Sequence, residues 1–159
     1  VEIQVKIQKE QVRRFYEVLW NGYDKRAMPA LLHPDFEFRG SLGQETRGHA
    51  GFADYLDTLH KALGDYRCAI EDWVAEGDKV FAKMRFSGIH RDRFMGYAPT
   101  QKTLSWMGCA LFTFDRDRIS KLWVLGDLKN LEAQLEAQRG RAPEDKQASS
   151  VNPRVEGVK

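Results

Sequence analysis

The sequence predicts an α+β domain, helices first and a curled antiparallel sheet after them. Three observations carry that expectation. Before residue 63, apolar residues recur at helical spacing, about 3.6 per turn. After residue 65, four runs of alternating apolar and polar residues are separated by turns short enough only for antiparallel neighbours. And 42% of the 159 residues are hydrophobic, with nine Phe, four Trp and five Tyr, which supplies one domain with a real core.

Residues 1–8 alternate, with Val1, Ile3, Val5 and Ile7 against Glu2, Gln4, Lys6 and Gln8, which is strand-like parity. From Gln8 the period changes: Val12, Phe15, Tyr16 and Leu19 fit a helix running to Trp20, with Asn21-Gly22 as its stop. Asp24 is placed to cap a short helix to Leu32. His33-Pro34 breaks it, and Phe36 and Phe38 then alternate with Glu37 and Arg39 as a strand. Gly40 to Gly48 reads as a loop, and Phe52, Leu56, Leu59 and Leu63 mark a third helix from Ala50, closed by Gly64.

The remaining text is strands: Tyr66–Ala75, Lys79–His90, Lys102–Phe114 and Ile119–Gly126. Their turns are Glu76-Gly77-Asp78, the longer loop Arg91–Gln101, and Asp115-Arg116-Asp117-Arg118. Asp127 then opens an amphipathic helix through Leu128, Leu131 and Leu135. The domain is expected to span 1–138. Residues 139–159, without an aromatic residue and with two Pro and two Ser, read as a disordered tail.

The formal charge of +2 resides in that tail, leaving residues 1–138 with twenty charges of each sign. A neutral body argues against a nucleic-acid partner, which clustered positive charge would recruit. No stretch approaches the ~20 apolar residues of a membrane helix, and no leader is visible, so a cytoplasmic location is expected. Cys68 and Cys109 form no CxxC, and the four His fall in neither HxH nor HExxH. Two free thiols and no metal are therefore expected.

Strand parity assigns faces. In the second of these strands Val80, Ala82, Met84, Phe86, Gly88 and His90 share one, and in the third Leu104, Trp106, Gly108, Ala110, Phe112 and Phe114. In the last strand the same rule groups Ile119, Lys121, Trp123, Leu125 and Asp127. A carboxylate beyond two apolar side chains is a candidate general base, its pKa raised by desolvation, though from spacing alone Asp127 fits the cap of the last helix better. His90 is a candidate acid/base or carbonyl-orienting partner, against a half-buried strand-end histidine. Arg39, Arg85 and Lys121 could meet an anion but fit a solvated surface better. Tyr16, Trp20, Phe36, Phe52, Tyr55, Trp106 and Trp123 divide between core and pocket wall, the Tyr and Trp carrying a polar handle. Cys109 lacks a nucleophile's neighbours.

The stretch from Gly88-Ile89-His90 through Phe94-Met95-Gly96-Tyr97-Ala98-Pro99-Thr100-Gln101-Lys102 resembles the signature of SnoaL-like polyketide cyclases and their ester-cyclase relatives. Ser105-Trp106-Met107-Gly108, Phe112 to Ile119, Trp123 to Leu128, Phe38-Arg39-Gly40 and Arg47-Gly48-His49 to Phe52 extend the resemblance over residues 8–135. Leu122 stands where the family often has His, Gln101 where it has Gly, and Arg91 where it has a small residue.

The resemblance implies the cone-shaped α+β fold of the nuclear transport factor 2-like superfamily, with helices on the concave face of the sheet. It also implies a homodimer through the sheets and a deep apolar pocket. The chemistry implied is intramolecular aldol condensation without metal or cofactor, on a small apolar carbonyl-bearing ligand. Asp127 matches the family's acid/base Asp, with His90 beside the developing oxyanion. Tyr16, Trp20, Phe36, Phe52, Tyr55, Met84, Phe86, Trp106 and Trp123 would hold the ligand. A steroid or terpenoid isomerase, hydratase or epoxide hydrolase, and a non-catalytic binding or dimerisation module, are the alternatives on the same fold.

Overall fold

A computed structural model describes residues 1–139; the expected tail from 140 onward lies outside the described residues. The order of elements is α1 (Glu2–Arg14), a π-helix (Phe15–Asn21), a 3-10 turn (Lys25–Ala27) and α2 (Met28–Leu31). Then come β1 (Leu32–Arg39), β2 (Glu45–Arg47), α3 (Gly48–Ala62), β3 (Leu63–Glu76), β4 (Lys79–His90), β5 (Thr103–Asp115), β6 (Arg118–Gly126) and α4 (Leu128–Arg139). The six strands form one curved sheet in the order β2-β1-β6-β5-β4-β3. β3 to β6 are the expected antiparallel meander, while β1 joins β6 in parallel. The chain between β1 and β6 is long enough for that crossover, and turn lengths later in the sequence carry no information about it.

The strand expected at residues 1–8 is helical. Val1, Ile3 and Ile7 are exposed and α1 buries only Gln8 and Val12, so the alternation selected no sheet face. Glu, Gln, Lys and Arg favour the helix that forms instead. Its last turn widens into the π-helix, which turns Phe15, Tyr16, Leu19 and Trp20 inward together. Asp24 caps the 3-10 turn as expected, its Oδ1 accepting from the Arg26 N–H at 3.1 Å. The helix beyond it is shorter than expected, because β1 already begins at Leu32.

Burial follows parity on β4 and β5, whose inward sets are Val80, Ala82, Met84 and Phe86, and Leu104, Trp106, Ala110 and Phe112. On β6 it does not. Ser120 is an extra residue: Ile119 stands opposite Phe114, but Lys121 stands opposite Thr113. That bulge shifts the inward set to Leu122 and Val124, leaving Trp123 44% and Leu125 46% exposed on the outer face.

β6 ends at Gly126 opposite Gly108, so the first residues of β5 lack a strand on that side. α4 supplies the missing partners. Gln134 accepts from the Ser105 N–H and donates to its carbonyl at 2.6 Å, Gln138 donates to the Thr103 carbonyl, and the Asp127 N–H donates to the Met107 carbonyl. No helix among the described residues is long and apolar enough to cross a membrane.

Candidate functional site

Between helices and sheet the interior has two parts. Nearest β1 and α3, Phe15, Phe36, Phe38 and Phe52 interlock, with Phe36–Phe52 centroids 5.4 Å apart and Phe38–Phe52 4.9 Å. Phe112 closes edge-on against Phe15 at 5.6 Å. Edge-to-face packing at these distances is favourable, and Phe15, Phe36 and Phe52 are fully buried. Phe36 and Phe52, expected to face a ligand, are therefore core, as is Met84.

The second part is a cavity of about 20 Å³ lined by Tyr16, Trp20, Phe38, Ser41, Tyr55, Tyr66, Cys68, Phe86, Leu122 and Val124. That is room for about one water, not the deep pocket implied by resemblance. Four expected residues line it (Tyr16, Trp20, Tyr55 and Phe86). Ser41, Tyr66 and Cys68 were not foreseen. Parity on β3 would have found Tyr66 and Cys68, since both lie on its inward face. Ser41 sits in a loop, where no period speaks.

The cavity wall is rich in hydroxyls. The Tyr16 hydroxyl is buried and has no hydrogen-bond partner. Burial pushes its pKa well up, and does the same for Tyr66, beside Cys68. Tyr55 is pushed up to about 12 by burial, its hydroxyl lying against Ser41 and the Leu42 backbone. A Cβ at Gly40 would fall 2.5 Å from that hydroxyl, so Tyr55 reaches the cavity only because residue 40 is glycine. All three phenols are neutral donors at ordinary pH, and desolvation raises the Cys68 thiol in the same way.

Neither expected acid/base residue lines this cavity. Asp127 is exposed, and its Oδ1 accepts from the Asn130 N–H at 3.1 Å, which makes it the cap of α4. The expected desolvation among aromatic side chains is corrected: the β6 bulge turns Trp123 and Leu125 outward, and Asp127 opens to solvent. Asp127 still follows Gly126, whose α-carbon is packed so that a Cβ there would meet Ser41 Cβ at 3.1 Å and Trp106 Nε1 at 3.3 Å.

His90 is fully buried at the far end of β4, its Nδ1 3.4 Å from Thr100 Oγ1 and its Nε2 without a partner. Burial lowers its pKa, and its ring lies 6.2 Å from Phe94. It anchors the loop after β4 rather than the cavity. Trp106 lies behind Phe86 and Tyr66, its indole N–H unpartnered. Trp123 is on the opposite side of the sheet, under the Arg39 guanidinium at 5.7 Å. Arg39 Nη1 donates to the Val124 carbonyl and Arg85 pairs with Glu71, so neither basic side chain waits for an anion. Among the described residues no three His, Cys, Asp or Glu side chains converge as metal ligands.

Comparison with known proteins agrees with this architecture. A candidate SnoaL-like polyketide cyclase from Jannaschia sp. CCS1 superposes with a TM-score of 0.75 at 19% identity, covering 83% of this chain and 93% of that one. TsrD from Streptomyces laurentii gives 0.72 at 24% identity, covering 82% and 95%. A protein from Catenulispora acidiphila with a ketosteroid isomerase-like fold gives 0.67 at 16% identity, covering 80% and 92%. No curated protein sequence matches the chain. The profile of the SnoaL-like polyketide cyclases matches residues 10–135. A cone of helices on a curved sheet, and a sequence that fits this profile across nearly all of the cone, place the chain in the SnoaL-like polyketide cyclase family.

Proposed function

We propose that the protein is a polyketide-cyclase-type enzyme that performs acid/base chemistry on a small apolar carbonyl compound. The observation that carries this reading is the hydroxyl-lined end of the interior, where Tyr16, Tyr55 and Tyr66 are held protonated by burial. Neutral donors fixed in a buried cavity suit an oxygen that gains negative charge as an adjacent carbon loses a proton. Asp127 is the proton acceptor in this reading. It stands one residue beyond Gly126, where an added Cβ would meet Ser41 of the cavity wall, and its carboxylate reaches a ligand by leaving the Asn130 N–H. Closing a ring then depends on holding two ends of one molecule together, which removes several kcal/mol of barrier.

The test is turnover of β-dicarbonyl compounds with product analysis, which also separates cyclisation from isomerisation or hydration. Asp127→Asn should lower kcat by about 10²–10⁴-fold with the fold intact. Unchanged turnover excludes the assignment. One observation favours a second reading, a ligand-binding module without catalysis: Asp127 already has a structural duty as the α4 cap. A bound ligand recovered chemically unchanged would select that reading.

The outer face supports a homodimer through the sheets. Phe81, Trp123 and Leu125 are 41%, 44% and 46% exposed there. Trp123→Lys should convert a dimer to a monomer in sedimentation analysis.

A further inference from the structure

The cavity is too small for any carbonyl compound to lie wholly inside it, so the rest of a ligand must lie outside. Two outer hollows share wall residues with it. One, of about 550 Å³, meets it at Phe38 and Leu122. Those residues are register partners in the β1–β6 ladder, so that wall is hydrogen-bonded sheet and cannot part without breaking the ladder. The other, of about 840 Å³, runs between the π-helix and β3 and meets the cavity at Tyr16 and Cys68.

This second wall is a helix–sheet joint. Asn21 pins it, its Nδ2 donating to the Cys68 carbonyl at 2.9 Å and its Oδ1 accepting from the Cys68 N–H at 2.8 Å. The helical segment is π-wound, a rare geometry that is frequent at functional sites. Tyr16 contributes a second feature: it lines the cavity, and its hydroxyl is buried and lacks a partner. A buried donor left unpaired costs roughly 1–3 kcal/mol, which an incoming acceptor would relieve. Half-buried Ile70 and Trp73 line the groove, with exposed charged residues including Arg67 and Asp72. About 840 Å³ falls within the size of ordinary small-molecule sites.

From these observations we infer that the groove between the π-helix and β3 is the binding subsite and the way into the cavity. The ligand is an elongated amphiphilic carbonyl compound. Its carbonyl oxygen passes between Tyr16 and Cys68 to accept from the Tyr16 hydroxyl. Its apolar body lies on Ile70 and Trp73, and its polar end meets the charged rim. This rests on the ligand class proposed above and adds its route, its orientation and Tyr16 as the residue that positions it.

The probe is 6-propionyl-2-dimethylaminonaphthalene, a ketone whose emission shifts to the red when its carbonyl accepts a hydrogen bond. It should bind the wild-type protein with emission blue-shifted from water. Tyr16→Phe should weaken binding about 5–10-fold and shift the bound emission further to the blue, a signature that lost packing would not produce. Ile70→Trp, which fills the groove, should weaken binding about tenfold or more. Glu45→Trp, in the other hollow, should leave binding unchanged. Should Ile70→Trp fail to fold, Cys68→Ala thins the shared wall and should raise the association rate.

No binding by the wild type, or affinity and emission indifferent to Tyr16→Phe, overturns the inference, as does loss of binding in Glu45→Trp alone. The probe reads binding without turnover, so its signal does not depend on proton transfer to Asp127. A failure of the catalytic assignment therefore appears in turnover only, and a failure of the route appears in probe binding only.

Discussion

The two parts of the interior differ by little more than hydroxyls. Toward β1 and α3, Phe15, Phe36, Phe52 and Phe112 pack ring on ring without free surface. Toward the π-helix and β3, Tyr16, Tyr55 and Tyr66 occupy comparable inward positions, and a cavity remains. Tyr16 meets Phe15 edge-on at 5.1 Å, so the boundary runs between adjacent residues of one π-helical turn. An all-hydrocarbon cluster gains from closing every gap. A cluster with buried phenols gains only where each hydroxyl finds a partner, and Tyr16 finds none. One part therefore holds the cone together, and the other keeps a small gap beside an unpartnered hydroxyl.

The largest break in that contrast is Phe52→Ala. It should cost about 3–5 kcal/mol in chemical denaturation, because three Phe rings lose a shared neighbour and the site cannot collapse fully. Next is Gly40→Ala, which forces the Tyr55 ring away from a Cβ at 2.5 Å and should cost about 1–3 kcal/mol. Tyr16→Phe sharpens the comparison. Removing an unpartnered hydroxyl should leave stability unchanged or raised by about 1 kcal/mol, although the same change weakens probe binding.

The smallest effects are in pH dependence. Burial holds His90 below the usual histidine pKa, so the unfolded chain binds a proton that the native chain refuses. Its contribution is complete above the ordinary value of 6.5 and is lost as pH falls below it. Replacing His90 with Gln should flatten that limb of a stability–pH curve. Tyr23 moves the other way, held up to about 12 by its hydrogen bond to Asp57. Its contribution is complete below 10 and lost as pH rises through about 12, a loss that Tyr23→Phe should abolish.

Much of the fold was legible because period and turn chemistry are local. β4 runs from Lys79 to His90 as expected, and parity separates Met84 and Phe86 from Phe81 and Lys83. Legibility failed where a local pattern had two physical readings. Val1, Ile3, Val5 and Ile7 alternate, yet Val1/Val5 and Ile3/Ile7 are also helical i, i+4 pairs, and with nothing to pack on the helix prevailed. On β6 one extra residue reversed the faces. Strict alternation cannot reveal a bulge, because the bulge is set by the partner strand. That single residue put Trp123 on the outer face and left Asp127 exposed at the strand's end, outside the cavity wall. Tyr16, Trp20 and Tyr55 were legible as aromatic residues of core or pocket wall, but not as the residues around a gap.

By itself, the sequence determined the class of the fold, the strand meander, the aromatic core and the family, since all of these follow from spacing and from motifs along one chain. Only the tertiary structure decided that β1 runs parallel to β6, that Phe36 and Phe52 fill space while Tyr16 and Tyr66 border it, and that the cavity shares a wall with an outer groove. A cavity is what remains between elements distant in sequence. Its volume depends on the difference between large packed volumes, and no residue carries that difference alone.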